Sequence, residues 1–153
     1  MSSQELYQQT LDRLKQLCSA AGIKLTQQRL EIFQGLLTAK DHPSAEQIHR
    51  SLRAKLPTMA IDTVYRTLAT FEKLGVVKKL HIANERTLFD PNLENHHHFI
   101  CSRCKRVEDF YWPDFDKADL PQAVSGLGTV QERHLEVQGI CRACLNEDAG
   151  PGP

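Results

Sequence analysis

Two C-x-x-C pairs, Cys101-Ser-Arg-Cys104 and Cys141-Arg-Ala-Cys144, restrict this chain more than any other feature. Each pair sets two thiols on one knuckle, and two knuckles supply the four thiolates that close on a single tetrahedral ion. Bringing them together forces distant segments into one small, metal-stapled unit. Zinc suits four soft thiolates, and a closed four-sulfur site leaves no position for a substrate. Two disulfides or a thioredoxin-like redox pair are the rivals. The opening residues MSSQELYQQT lack a basic-then-apolar signal pattern, which points to a reducing, cytoplasmic setting and opposes the first rival, while the presence of two knuckles opposes the second. Cys18 stands apart on an apolar helix stripe and reads as a core thiol with no assigned function.

The chain has 153 residues, 41% of them hydrophobic, which is ordinary for a folded domain or two small ones. No apolar run approaches the roughly 20 residues that span a bilayer. The net charge is zero, yet residues 1–83 carry 12 Lys+Arg against 7 Asp+Glu, and residues 84–153 carry 7 against 12. A basic half suits phosphates, and an acidic half suits a cation.

The basic half reads as four helices and a hairpin. Tyr7, Leu11, Leu14 and Cys18 form one helical face, with Gly22 as its stop. Thr26 caps a second helix with Leu30, Phe33 and Leu37 inward, and Ser44 with Gln47 makes a capping box for a third, whose buried face is Ala45, Ile48 and Leu52. A fourth runs from Ala60 to Leu74 with Ile61, Val64, Leu68 and Phe71 along one side and Gly75 as the stop. Val76–Ile82 and Arg86–Phe89 follow as two strands around a turn. Short helices followed by a two-stranded hairpin form a winged helix-turn-helix, whose last helix lies in the major groove. Its polar side offers Asp62, Arg66 and Lys73, flanked by Thr63 and Tyr65; Thr63, Tyr65 and above all Arg66 are the expected DNA contacts.

Past Pro91 and Asn92 the pattern becomes α+β, with strands expected at His96–Cys101, Val107–Tyr111 and Thr129–Gln138, and a short helix within Asp119–Val124. The division expected is a winged-helix domain over 1–88, a small α/β domain with the four-cysteine site over 89–145, and a disordered polar tail over 146–153. Just before the first knuckle stands His96-His97-His98, in which strand alternation puts His96 and His98 on one face and His97 on the other. Asp90 and Asp109 can add oxygen ligands, a mixed set open to Fe(II), Mn(II) or Zn(II). His49, His81 and His134 have no such company and read as surface or DNA-proximal residues.

These residues together resemble the ferric uptake regulator family, most closely its peroxide-responsive repressors. The resemblance is carried by Leu25-Thr-Gln-Gln-Arg29, His42-Pro-Ser-Ala-Glu46, Asp62-Thr-Val-Tyr-Arg-Thr-Leu68, the run from His96 to Cys104 and the last C-x-x-C, and it spans nearly the whole chain. It implies a homodimer on double-stranded operator DNA, structural zinc on Cys101, Cys104, Cys141 and Cys144, and a regulatory Fe(II) or Mn(II) site between the domains on His42, Asp90, His96, His98 and Asp109. His42 would come from the DNA-binding domain and the other four from the hinge and dimerisation domain. Aspartate at 109 resembles the peroxide sensors, in which Fe(II) and hydrogen peroxide oxidise a ligand histidine, His42 or His96 here. Iron-dependent control of uptake genes is the alternative, and zinc sensing the third. Two departures stand out: Arg133 occupies the place of a histidine that belongs to an additional metal site in many members, which puts a site using His97 or His134 in doubt, and Ala60 replaces the usual serine-like cap. Nothing like H-E-x-x-H suggests a hydrolytic enzyme, and a bare zinc-held interaction module would leave the basic half unexplained.

Overall fold

The computed structural model describes residues 3–39, 41–82 and 86–148. It divides into two compact units, Met1–Leu93 and Glu94–Pro153. The division falls after Leu93 rather than after residue 88, because the second wing strand runs on to Asp90.

The first unit holds helices α1 (Ser3–Ala20), α2 (Gln27–Thr38), α3 (Ala45–Leu52) and α4 (Ile61–Lys73), then strands β1 (Lys78–Ile82) and β2 (Arg86–Asp90). Local chemistry sets each helix start. The Thr26 side chain accepts the Arg29 N–H, and Ser44 and Gln47 form the reciprocal capping box. Ala60 offers α4 no side-chain cap; in the turn before it, His49 Nε2 lies 2.8 Å from the Met59 carbonyl, which ties α3 to that turn. His49 is therefore a half-buried tether rather than a surface residue. At the far end of α4, Gly75 takes φ +69°, where a side chain would be strained, and the helix stops.

Leu14, Cys18, Phe33, Ile48, Val64, Leu68 and Phe71 fill the core of this unit, with Phe33 and Phe71 edge to face at 5.4 Å. On α2 the inward stripe is Ile32, Phe33 and Leu36; Leu30 and Leu37 are only half-buried, one position off the expected centre. Burying each such side chain contributes about 1.5–3 kcal/mol, so the helices are held by this shared core more than by propensity. β1 and β2 pair antiparallel from Lys78↔Asp90 to Ile82↔Arg86. Val76 and Val77 are buried but precede the strand, and the expected turn at 83–85 lies outside the described residues.

The second unit contains β3 (His97–Cys101), β4 (Val107–Phe110), α5 (Pro113–Lys117), α6 (Gln122–Ser125), β5 (Glu136–Gly139) and α7 (Arg142–Asp148). Its sheet has the order β4-β3-β5, antiparallel on one side of β3 and parallel on the other. A Cβ on Gly139 would stand 3.1 Å from two ring carbons of Phe99, so glycine lets β5 close on β3 beside the cysteines. Two expectations are corrected here. Only Glu136–Gly139 of the run from Thr129 is strand, and residues 146–148 belong to α7 rather than to a disordered tail; residues 149–153 lie outside the described residues. The helix started by the second knuckle continues through Asn146, because Leu145 N–H already bonds the Cys141 carbonyl and sets the turn.

Candidate metal centres and nucleic-acid interface

The knuckles are built by β3 with the turn after it and by β5 with the start of α7. Cys101 ends β3, and the Cys104 and Cys141 N–H groups point at its sulfur at 3.5 and 3.3 Å. Lys105 takes a positive φ of 63° to close the first turn, donating its N–H to the Cys101 carbonyl at 3.0 Å. The sulfurs of Cys101 and Cys144 lie 3.9 Å apart, those of Cys104 and Cys141 3.7 Å, and all four fall within 4.8 Å of one another. Thiolates about 2.3 Å from a tetrahedral ion stand about 3.8 Å apart. The geometry therefore fits one zinc. No pair is disulfide-bonded, and only Cys104 is exposed. Backbone N–H groups of Cys141 and Cys104 draw the Cys101 thiol down to about 6, whereas burial, followed by hydrogen bonds with the neighbouring sulfurs that favour its protonated form, pushes Cys144 up to about 12. One sulfur is thus poised as thiolate, and a cation must displace the proton of the other.

A second set lies on the other end of β3. His96 Nε2 is 3.0 Å from His98 Nε2, and Asp109 Oδ1 lies 3.5 and 3.6 Å from the same two nitrogens. Ligand atoms about 2.1 Å from one ion stand about 3.0–3.4 Å apart, so the three suit a shared cation. His98 and Asp109 are directly paired across β3 and β4, which fixes the carboxylate opposite the imidazole. His96 Nδ1 lies 2.8 Å from the Glu94 carbonyl; as that oxygen can only accept, Nδ1 carries the proton and Nε2 keeps its lone pair for a metal.

In the first unit, His42 and Asp90 come together. His42 Nε2 is 3.5 Å from Asp90 Oδ2, while Asp90 Oδ1 accepts the Asn92 N–H at 2.8 Å. A hydrogen bond from Phe89 N–H to the Pro43 carbonyl, 2.9 Å, anchors the end of β2 beside the segment leading into α3. Asp90, expected with the second domain, thus closes the first, so the five expected ligands divide two and three rather than one and four.

On α4, Tyr65 and Arg66 are exposed and Thr63 is half-buried, opposite buried Val64, Thr67, Leu68 and Phe71. Arg66 Nη2 pairs with Asp62 Oδ2 at 2.8 Å, and the Tyr65 hydroxyl donates to Glu46 of α3. That bond raises the Tyr65 phenol above its ordinary range. The three expected contacts share one helix whose inner side is locked into the core.

His97 has a different fate from its neighbours. It is fully buried, its Nδ1 accepts the Leu135 N–H at 3.1 Å, and its Nε2 lies 3.3 Å from Asp116 Oδ1, which also accepts from Asn95 at 2.7 Å. Phe110 and Phe115 flank the ring at 5.3 and 5.2 Å. Arg133 donates to the Ala118 carbonyl at 2.5 Å, and His134 is exposed. No sequence pattern singles out Asn95 or Asp116, since the bond that joins them runs from the lead into β3 to α5, 21 residues away.

Comparison with known proteins settles the lineage. Residues 20–137 match the family model described as the ferric uptake regulator family. The chain belongs to the ferric uptake regulator family. Within it, the peroxide-responsive repressor PerR of Staphylococcus epidermidis is 34% identical over 128 residues, covering 83% of this chain and 85% of that protein. Among solved structures, the Helicobacter pylori ferric uptake regulator superposes with a TM-score of 0.75 over 90% of this chain and 93% of its own at 24% identity, a likeness of fold. The Francisella tularensis ferric uptake regulator, solved with iron, matches at a TM-score of 0.66 and 28% identity over 81% of this chain and 96% of that one. The chain is accordingly a member of a family of metal-responsive repressors, with the helix-then-sheet architecture and the four-cysteine cluster read from its sequence. No helix among the described residues is long and apolar enough to cross a membrane.

Proposed function

We propose that the chain is a homodimeric, zinc-stapled repressor that binds operator DNA through α4 when a regulatory Fe(II) or Mn(II) is held, and that releases DNA when hydrogen peroxide meets the iron form. The observation that carries it is the convergence of His96, His98 and Asp109 within 3.0–3.6 Å on a chain 34% identical to a peroxide-responsive repressor. In this reading His42 and Asp90 of the first unit complete the site with those three. Binding to both units favours one arrangement of the helices α4, and only the difference in metal affinity between arrangements drives the shift. Fe(II) held by these five residues would supply the redox chemistry that cleaves the peroxide O–O bond, one oxygen going to a ligand imidazole and the other leaving as water. His42 or His96 takes up the oxygen by family resemblance, and an imidazole so altered no longer serves as the same ligand.

Cys101, Cys104, Cys141 and Cys144 hold zinc in this reading, and the second unit they staple is the dimerisation domain. Support for pairing comes from β5, an edge of its sheet, with exposed Val137 on it, exposed Ile140 just after it and exposed Leu145 on α7. The reading makes the protein a cytoplasmic regulator rather than an enzyme. Iron-responsive control of uptake genes is the second reading, favoured by the likeness to the iron-loaded Francisella tularensis regulator.

The deciding experiment is anaerobic binding to the DNA upstream of the protein's own gene, with Fe(II)-loaded and Mn(II)-loaded protein, before and after stoichiometric peroxide. Loss of binding by the iron form alone, with a 16 Da gain on the peptide carrying His42 or His96, is the expected result. Retention of DNA by both forms transfers the protein to the iron-responsive reading.

A further inference from the structure

Both exposed side chains of α4 assigned to DNA already hold a carboxylate. Arg66 meets Asp62 one turn earlier, at 2.8 Å, although the two side chains are 82% and 65% exposed. Tyr65 is 45% exposed, and its hydroxyl is held by exposed Glu46, on the neighbouring helix α3. Two acidic groups on a face that approaches a polyanion weaken plain phosphate binding. Nor does fold stability account for them, because an exposed i,i+4 ion pair contributes only about 0.3–0.5 kcal/mol. The arrangement fits a different requirement, that of keeping the donors of this face away from phosphates.

We infer that Asp62 and Glu46 are positioning residues for sequence discrimination, holding the Arg66 guanidinium and the Tyr65 hydroxyl away from phosphate oxygens. A guanidinium has five donors, and a guanine edge uses two of them, O6 and N7 accepting in parallel. One nitrogen on Asp62 therefore still leaves a fork for a base, in an orientation that a mobile side chain would have to find at entropic cost. Off the target site the same carboxylate offsets the Arg66 charge, so random DNA gains less from it. Glu46 acts likewise on Tyr65, whose hydroxyl would otherwise donate to any phosphate it met. The inference rests on the DNA-binding reading above, and the test separates the two.

Metal-loaded full-length protein is selected against a randomised 30-base-pair duplex library, and affinities for the enriched duplex and for unselected duplex are measured across a salt series. Asp62→Asn is expected to tighten binding to unselected duplex, to steepen its salt slope by about 1, and to reduce preference at one base pair on the order of tenfold. Glu46→Ala should shift affinity for unselected duplex in the same direction by less. In an Arg66→Ala background the Asp62→Asn effect on base preference should vanish, as a double-mutant cycle requires of a residue acting through its partner. Zinc content and melting temperature, unchanged by these surface substitutions, certify the fold. An unchanged preference and salt slope, or an effect that persists without Arg66, overturns the inference and marks Asp62 as an ordinary surface charge. If wild-type protein enriches no sequence at all, the DNA-binding reading itself falls.

Discussion

At the scale of single residues, burial and partner decide which members of a repeated residue type carry chemistry. The three consecutive histidines show it. His96 and His98 share a face with Asp109, whereas His97 is fully enclosed, takes a backbone N–H and faces Asp116. Alternation along a strand foretold this split, but not that Asp116 and Asn95 would complete the inner side, because those contacts cross to another element. The cysteines divide similarly. Cys18 is 1% exposed in the helical core, and burial raises its thiol above the ordinary range despite the opposing charge of Arg29. The thiolate is the reactive form, so with zinc bound Cys18 should resist iodoacetamide in the native protein and react stoichiometrically once unfolded in guanidinium. Peptide mapping reads the result, and rapid native labelling at Cys18 would contradict its place in the core. For the regulatory set, Asp109→Asn keeps the shape of the side chain but removes the charge a divalent ion needs. Fe(II) and Mn(II) affinity, measured by competition with a chelating dye, should fall at least about tenfold while zinc content stays at one per chain.

The helices were the most legible elements. The Thr26 cap, the Ser44–Gln47 box and the stop at Gly75 all stand where turn and cap chemistry placed them, since those signals lie within four residues of their partners. Legibility fell where long-range pairing decides. β5 shrank to Glu136–Gly139 because only that stretch finds β3 as a neighbour, and α5 and α7 follow Trp112 and the second knuckle without a periodic apolar face to announce them. Type and spacing single out the four cysteines and the pair His96 and His98, whereas His42 is reached only through the family resemblance, and its closeness to Asp90 depends on the bond from Phe89 to Pro43. The uncapped start of α4 yields a prediction at this scale. Ala60 has the extended backbone of an N-cap, φ −74° and ψ 147°, yet offers no acceptor, and it is exposed. Ala60→Ser supplies one to the first-turn N–H groups and should stabilise the first unit by about 1 kcal/mol, read as a higher urea midpoint at unchanged slope. A lower midpoint would mean that the tether from His49 to Met59 already sets a geometry the serine disturbs.

The two units draw their stability from different sources, and this governs how the whole molecule answers loss of metal. The first is organised around a core, fifteen buried residues among those described, shared by four helices and the wing. In the second, the cluster around the thiols consists of Cys101, Cys141 and Cys144 with Phe99 packed on it, so the centre that joins β3, β5 and α7 is largely sulfur. Removing the ion leaves four thiols within 4.8 Å, one drawn toward thiolate and another held protonated by burial, with no cation to join them. So small an apolar cluster cannot replace the ordering supplied by a four-thiolate zinc, which in small domains is the folding energy itself. Zinc extraction with a strong chelator under reducing conditions should therefore unfold the second unit while α1–α4 stay folded. Hydrogen exchange resolves the two: amides of β3, β5 and α7 should lose protection, and those of α2 and α4 should keep it within a few-fold. Helical ellipticity should fall only by the share of the short helices α5–α7. Equal loss of protection in both units would show that the helical core depends on the second unit for its stability, and unchanged protection in β3 and β5 would show that the sheet stands without the zinc staple.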